Sequence, residues 1–345
     1  VNGEVVTEEA IRRRVTLGAV ARTVGVSIAT VSKVINGRSD VAPATRARIQ
    51  AALLDHDYVA RGLGGVPQGG RTLELVFDAL ETPNNLEIVR GVTEAVADSG
   101  IAVVVGVVPD DPLGAEWARR IAGAQREGVI LVTSTLSQQQ RNHFTETGVP
   151  LVLIDPVNIP DSSMPSIGAT NFSGGMDAAK HLTELGHRRI GMVEGRADAL
   201  CGVARLHGYH AALAAAGITP DPDLVRPGDF TFQSGYQAGL DLLDLPDPPT
   251  AVFAANDPEA LGVMAAARVR GLRIPEDLSV VGFDDMSPSR WASPPLTTVR
   301  QPFAEMGRAA AEALFQLATG ETLNSTRVEL ATTLVVREST APPSR

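Results

Sequence analysis

Five polar side chains stand directly after apolar runs, the places in an α/β fold where a crevice and its hydrogen-bonding chemistry are found. Asp155 follows VPLVLI, Asn256 and Asp257 follow TAVFAA, and Asp284 and Asp285 follow LSVVGF. Arg205 opens the stretch RLHGYHAAL and has the length to reach a ligand. Carboxyl ends of parallel strands border the ligand crevice of doubly wound sheets. There a guanidinium fork donates and carboxylates accept, so together they can grip a partner that does both. The competing reading of each aspartate is a helix cap or a loop ion pair, and Asp257 fits that better. Asp78 and the turn TPNN (82–85) follow the first apolar run and could line the facing wall. Trp291, just beyond the GFDD loop, borders either the crevice or a subunit face, and the sequence leaves both open.

Motifs for reaction chemistry are missing. There is no P-loop and no G-x-S-x-G elbow. His207 and His210 have H-x-x-H spacing but lack the glutamate and the i, i+4 placement of a metalloprotease helix. Asp110–Asp111 lies in a Pro-bounded loop, and Asp284–Asp285 has no evident proton-transfer partner. The chain therefore reads as a binding protein without catalytic, metal or cofactor sites. Cys201 is the single cysteine, which excludes an internal disulfide and implies no oxidising compartment. Apolar stretches such as Ile101–Val108 fall far short of the ~20 residues that cross a bilayer. Arg12–Arg14 followed by VTLGAVA imitates a secretory signal, but Arg22 interrupts the apolar run. These features point to the cytoplasm and to no membrane partner. Residues 1–14 carry no apolar periodicity and read as a loose leader.

The elements that must position the polar residues come in two series. TLELVF (72–77), IAVVVGVV (101–108), GVILV (128–132) and VPLVLI (149–154) read as buried parallel strands, with helices near 85–99, 114–126 and 137–147. A second series places strands near 189–193, 250–254, 278–282 and 297–300, with helices near 172–186, 202–216, 234–244 and 257–270. Two consecutive βα series in 345 residues argue for two doubly wound subdomains.

Ahead of them, Val15–Gly37 (VTLGAVARTVGVSIATVSKVING) reads as two short helices about a tight turn. Val20 and Ala21 face inward on the first helix, and Gly25 supplies the positive φ of the turn. Ser27 is placed as the N-cap of the second helix. Val31 and Ile35 pack inward, leaving Ile28, Ala29, Ser32, Lys33 and Asn36 on the other side. That is a helix-turn-helix, whose second helix enters the major groove. Residues 12–71 hold ten Lys or Arg against three Asp, a net of +7, while the whole chain carries −10. A basic head on an acidic body suits phosphate binding by one end.

The segment VTLGAVARTVGVSIATVSKVINGRSDVAPATRARIQAALLDHDYVARG resembles the N-terminal part of the LacI/GalR family of bacterial transcription regulators. Similarity continues through LGHRRIGMV (185–193), RLHGYHAAL (205–213), GDFTFQSGYQ (228–237), AVFAANDPEALGVM (251–264), DLSVVGFDD (277–285) and SPPLTTVRQPFAEMGRAA (293–310). The resemblance implies an α/β chain. An all-α helix-turn-helix domain (15–60) and a Gly-rich hinge linker (61–71) would precede an effector-binding and dimerisation domain (72–338). That domain is expected to be periplasmic-binding-protein-like, with Rossmann-like subdomains at 72–157 plus 302–320 and at 158–301 plus 321–338. The helix after Gln301 would return to the first subdomain.

By position in the family motif, Ile28 and Ala29 set operator preference; being apolar, they can touch a thymine methyl only. Lys33 is the candidate for a guanine contact. Thr16, Ser27, Thr30, Ser32 and Asn36 suit phosphates or flanking bases, and Leu17 joins the DNA-contacting set. The linker departs from the family, with five glycines in residues 61–70 and Pro67 opposing a helix. Leu63 is the nearest minor-groove wedge, earlier than the family position, which argues against wedging and kinking. Ligand contact is implied for Arg205, Asn256, Asp284 and Asp155, with Phe230 as a stacking wall and Asp78 on the far side. This set suits a sugar, whose vicinal hydroxyls accept from the guanidinium and donate to carboxylates. The implied partners are double-stranded operator DNA, a small-molecule effector and a second copy of the chain, as a homodimer or a tetramer. The implied action is repression relieved by a sugar. The rivals are a sugar receptor without DNA binding and a purine corepressor-dependent regulator.

Overall fold

The computed structural model describes residues 17–35, 41–55, 71–80, 82–107, 126–133, 138–157 and 164–344. The chain divides into two compact units, Val1–Gly70 and Arg71–Arg345.

In the first unit, α1 (Leu17–Val24), α2 (Ile28–Ile35) and α3 (Pro43–Asp55) surround one small core. Val20, Ala21, Val24, Val31, Val34, Ile49 and Leu53 fill it. Gly25 holds φ 71° in the turn, where a Cβ would be strained. Ser27 Oγ accepts from Thr30 N at 3.1 Å, capping α2 as its sequence predicts. Arg48 Nη2 donates to Val24 O at 2.7 Å, so α3 satisfies a carbonyl left open at the end of α1. The inward residue beside Val31 on α2 is Val34; the side chain of Ile35, expected there, lies outside the described residues.

The second unit contains two six-stranded sheets. The first uses β1 (Thr72–Phe77), β2 (Ala102–Val107), β3 (Gly128–Val132), β4 (Leu151–Ile154), β5 (Ser166–Ala169) and β11 (Arg327–Leu330). Their order is β11-β5-β4-β3-β1-β2, parallel throughout. Buried runs such as VILV in β3 and LVLI in β4 follow from helices covering both faces. Here α4 (Pro83–Val96) and α5 (Gln138–Thr147) belong to the first subdomain. The expected helix near 114–126 lies outside the described residues.

The second sheet uses β6 (Ile190–Val193), β7 (Val225–Arg226), β8 (Ala251–Ala254), β9 (Ser279–Asp284), β10 (Thr297–Arg300) and β12 (Thr333–Val335), in the order β12-β10-β9-β8-β6-β7. Only β12 runs antiparallel, against β10. Its helices are α6 (Asn171–Glu184), α7 (Leu200–Ala215), α8 (Phe232–Leu243), α9 (Asp257–Val269) and the short α10 (Ser287–Trp291).

The chain passes between the sheets three times, after β5, after β10 and after β11. As the resemblance implies, α11 (Phe303–Ala318) returns to the first subdomain: Phe303, Met306, Ala310 and Leu314 share a core with Leu75, Ile88 and Val152. The expected boundaries need correction, because residues 166–169 and 327–330 belong to the first sheet rather than the second. Both strands are four residues long, and β11 alternates exposed and half-buried positions at a sheet edge. Neither carries the apolar run that marks a central strand. Two of the crossings are tied together, with Thr332 N donating to Thr170 Oγ1 at 3.0 Å.

Candidate effector site and DNA-facing helix

Asp284 ends the fully buried strand β9 and carries φ 113°, followed by Asp285 at φ 58°. Left-handed backbone at a residue with a side chain costs about 1–3 kcal/mol and persists where neighbours fix it. Asp285 is fixed by Arg300 Nε at 2.7 Å, by Arg290 Nη2 at 3.3 Å and by Arg337. Those guanidiniums hold its carboxyl below the usual range although burial opposes them. Asp284 accepts from Gln301 Nε2 at 2.7 Å and from Asn84 Nδ2 at 3.3 Å. Burial raises its pKa, and the nearby Arg205 works against that rise.

Arg205 lies in the second turn of α7, not at a helix start as RLHGYHAAL suggests, because the helix begins at Leu200. It is only 3% exposed. Nε donates to Asn171 Oδ1 at 2.9 Å and Nη1 to Ala255 O at 2.7 Å. Cζ stands 3.8 Å from the centre of the Phe283 ring and 5.9 Å from that of Phe230. Nη2 is 3.7 Å from Asp284 Oδ1, beyond hydrogen-bond length. The guanidinium is thus anchored at one end within its own subdomain and retains donors at the other.

Asp155, at the end of β4, has φ 47° and lines a cavity with Asn171, Phe172, Leu200 and Cys201. Burial raises its pKa, with Arg205 opposing. Burial likewise pushes the Cys201 thiol up to about 12, so it stays protonated at neutral pH. Asp78 sits exposed at the end of β1, its Oδ1 accepting from Ala79 N at 2.8 Å. In the adjoining turn, Asn84 contributes to the site, while Asn85 Nδ2 donates to Ala79 O at 2.7 Å and braces the loop.

Asn256 has a different geometry from the ligand contact expected of it. Its Oδ1 accepts from Glu259 N at 2.9 Å, capping α9, and its Nδ2 donates to Phe230 O at 2.9 Å. Both ends of the amide serve the fold. Asp257, expected to be a cap or loop ion pair, is instead buried against hydroxyls. It accepts from Met286 N at 2.7 Å and from Ser289 and Thr298 hydroxyls at 2.5 Å each. Desolvation, with Asp284 nearby, pushes it up to about 7. Phe230 adopts φ 71°, with its ring where a Cβ at Gly195 would fall 2.1 Å from it.

The structure therefore gathers Arg205, Asp284 and Asp155, with Phe230 beside them. Asp78 stays at the rim, and Asn256 supports Phe230. Sequence reasoning missed Asn171, Phe283 and Gln301. Phe283 adjoins the chosen Asp284 in GFDD, and that adjacency is the available signal; Gln301, in VRQP, adjoins no chosen residue. Trp291 is 80% exposed, outside the cleft core. His207 is exposed and His210 packs edge-on against Tyr209, 5.1 Å between ring centres. Among the described residues no cluster of His, Cys, Asp and Glu could hold a metal ion. Asp110 and Asp111 lie outside them.

On the helix-turn-helix, Ile28 is 55% exposed, and Ala29 and Lys33 are exposed beside it, while Thr30 and Ser32 are half-buried. Ser27 Oγ and Thr30 Oγ1 lie 2.8 Å apart. Leu17 begins α1. Thr16, Asn36 and Leu63, with residues 61–70 of the Gly-rich linker, fall outside the described residues.

A helix-turn-helix in one chain with a polar cleft between two doubly wound subdomains defines a ligand-responsive DNA-binding regulator. Residues 16–60 match the family described as bacterial regulatory proteins, lacI family, and residues 179–340 match the periplasmic binding protein-like domain. The chain is 38% identical over 336 residues to the HTH-type transcriptional regulator CelR of Thermobifida fusca, covering 95% of this chain and 99% of that one. It is similar to the solved structure of a transcriptional regulator CelR–cellobiose complex, with TM-score 0.72, 38% identity, and coverage of 94% and 100% of the two chains. It is also similar to a lac repressor dimer bound to operator and the anti-inducer ONPF, with TM-score 0.69, 30% identity, and coverage of 95% and 100%. The chain belongs to the LacI family of bacterial regulatory proteins.

Proposed function

We propose that the chain is a repressor that binds a pseudo-palindromic operator as a homodimer and is released by a small sugar, with cellobiose the first candidate. The observation that carries this reading is Arg205, buried and anchored through Nε and Nη1, with Nη2 left facing Asp284 at 3.7 Å. A vicinal diol fits there, accepting from Nη2 and donating to Asp284 or Asp155. An aromatic ring at the cleft, Phe230, suits the C–H face of a pyranose. The CelR–cellobiose complex, at 38% identity over nearly the whole chain, supports the sugar class.

On the DNA side, the exposed Ile28 and Ala29 at the start of α2 face the major groove, with Lys33 reaching a guanine. Ser27, Thr30 and Ser32 serve the backbone. Thr16, Leu17 and Asn36 keep the contacts that the family pattern gives them, and Leu63 is the nearest wedge candidate, at a position earlier than the family's. Two copies present two recognition helices to two half-sites, as the operator-bound lac repressor dimer does for its own DNA. Sugar in the cleft changes the relative orientation of the subdomains, and so the fit of both heads to one operator. Such coupling is typically about 1–3 kcal/mol and acts in both directions. The place of action is the cytoplasm, where the DNA is. Among the described residues no helix is long and apolar enough to cross a membrane.

The test is fluorescence anisotropy on DNA from upstream of the gene, with cellobiose, ribose and a purine base added in turn. The reading expects a sugar to weaken binding. A purine that strengthens binding, with every sugar inert, would favour corepression instead.

A further inference from the structure

One buried carboxyl group beside the cleft has no part in the reading above. Glu259 is fully buried in the first turn of α9. Its Oε1 accepts from Phe230 N at 2.8 Å and lies 3.3 Å from Ser234 Oγ, while Oε2 has no hydrogen-bond partner. The sequence Asn256-Asp-Pro-Glu259 has the form of a capping box, in which the third helical residue turns back to the amide of its own N-cap. Half of that box is present, since Asn256 Oδ1 accepts from Glu259 N. The other half is redirected, and Glu259 reaches the Phe230 loop instead.

Phe230 is consequently gripped on both sides of one residue, N–H by Glu259 and C=O by Asn256. That grip holds it at φ 71°, a conformation that residues with side chains seldom adopt. Glycines make the approach possible. A Cβ at Gly228 would fall 2.3 Å from Glu259 Oε1, and one at Gly195 would fall 2.1 Å from the Phe230 ring. The ring therefore has one slot, and the carboxyl group has one loop to hold.

We propose that Glu259 is a positioning residue for the effector: by tying Phe230 N–H to the first turn of α9, it keeps the aromatic wall of the cleft in place before the ligand arrives. This rests on the cleft being the effector site, so the test has one readout that needs no effector.

Full-length wild type, Glu259→Gln and Glu259→Leu are compared by hydrogen exchange at the Phe230 amide and by the cellobiose concentration that half-releases operator DNA. Glu259→Met, of matched length, replaces the Leu variant if that does not fold. Operator affinity without sugar is the folding control. Gln keeps an acceptor oxygen, so both readouts stay within about threefold of wild type. Leu removes it, so the Phe230 amide exchanges about tenfold faster and half-release needs about tenfold more cellobiose. Unchanged exchange in the Leu variant overturns the proposal. So does faster exchange without any shift in a wild type that responds to cellobiose. A wild type that ignores sugars contradicts the sugar reading instead, and the exchange arm then decides the clamp on its own.

Discussion

Asn84 Nδ2 donates to Asp284 Oδ2 at 3.3 Å, joining the first turn of α4 in one subdomain to the end of β9 in the other. The same carboxylate accepts from Gln301, on the segment that crosses back between the sheets, and faces Arg205. One buried carboxylate thus stands where both subdomains, a crossing segment and the guanidinium meet. A ligand that hydrogen-bonds Asp284 acts on all of these at once.

Replacing Asn84 by Ala removes the bond across the cleft and leaves Asp284 its contact with Gln301. A single hydrogen bond of this kind contributes about 0.5–1.5 kcal/mol. Isothermal titration should show sugar affinity changed by no more than about tenfold, with a melting temperature close to wild type.

Arg205→Ala should keep operator affinity near wild type and abolish the sugar response. It also leaves Asp284 buried without its cation, so a loss of about 3–5 kcal/mol in stability of the body is expected. Denaturant unfolding checks the second part and operator release the first. Induction retained in this variant would remove Arg205 from the site.

Much of this arrangement follows from sequence pattern. GVILV and VPLVLI are continuous apolar runs because their strands are covered on both faces, and Asp155 and Asp284 follow from where such runs stop. Ser27 is recognisable as a cap because its hydroxyl needs only the local chain to act. The strands 166–169 and 327–330 escape that logic, since pairing at and near a sheet edge makes them strands and no apolar run marks them. Asn256 escapes it too: its position after a strand suits a ligand contact equally well, and only the arrival of Phe230, 26 residues away in sequence, makes it a support. Long-range contacts decide these roles, and periodicity does not record them.

The stability that two buried carboxyl groups lend the body should fall as pH rises from about 4 to about 8. Burial pushes Asp257 up to about 7 and Glu259 up to about 8, against unfolded values near ~4. Both groups bind protons more tightly folded than unfolded. Their contribution is fully present below the unfolded value and is lost as pH climbs through the folded one. Melting curves between about pH 4.5 and 8 should show wild type losing this contribution and Glu259→Gln losing less. Parallel curves would show that Glu259 does not titrate in this window.

Gly195→Ala puts a methyl group where the Phe230 ring lies, 2.1 Å from its nearest atom. The ring must leave its slot, so the sugar concentration needed for release should rise while operator affinity holds. An unaltered response, measured by anisotropy, would mean that the ring plays no part in binding.

Lys33→Ala should weaken operator binding by about 1–3 kcal/mol and relax the choice at one base pair. Binding to a set of singly substituted operators reads both effects. An unchanged profile would assign Lys33 no base.

The most direct measurement is a titration of the purified full-length chain against DNA from upstream of its gene, at two salt concentrations, with and without cellobiose. The account predicts tight binding that weakens steeply with salt, tighter than to random duplex, and released by the sugar. Binding that shows neither a preference for that DNA nor any response to cellobiose or another sugar would contradict it.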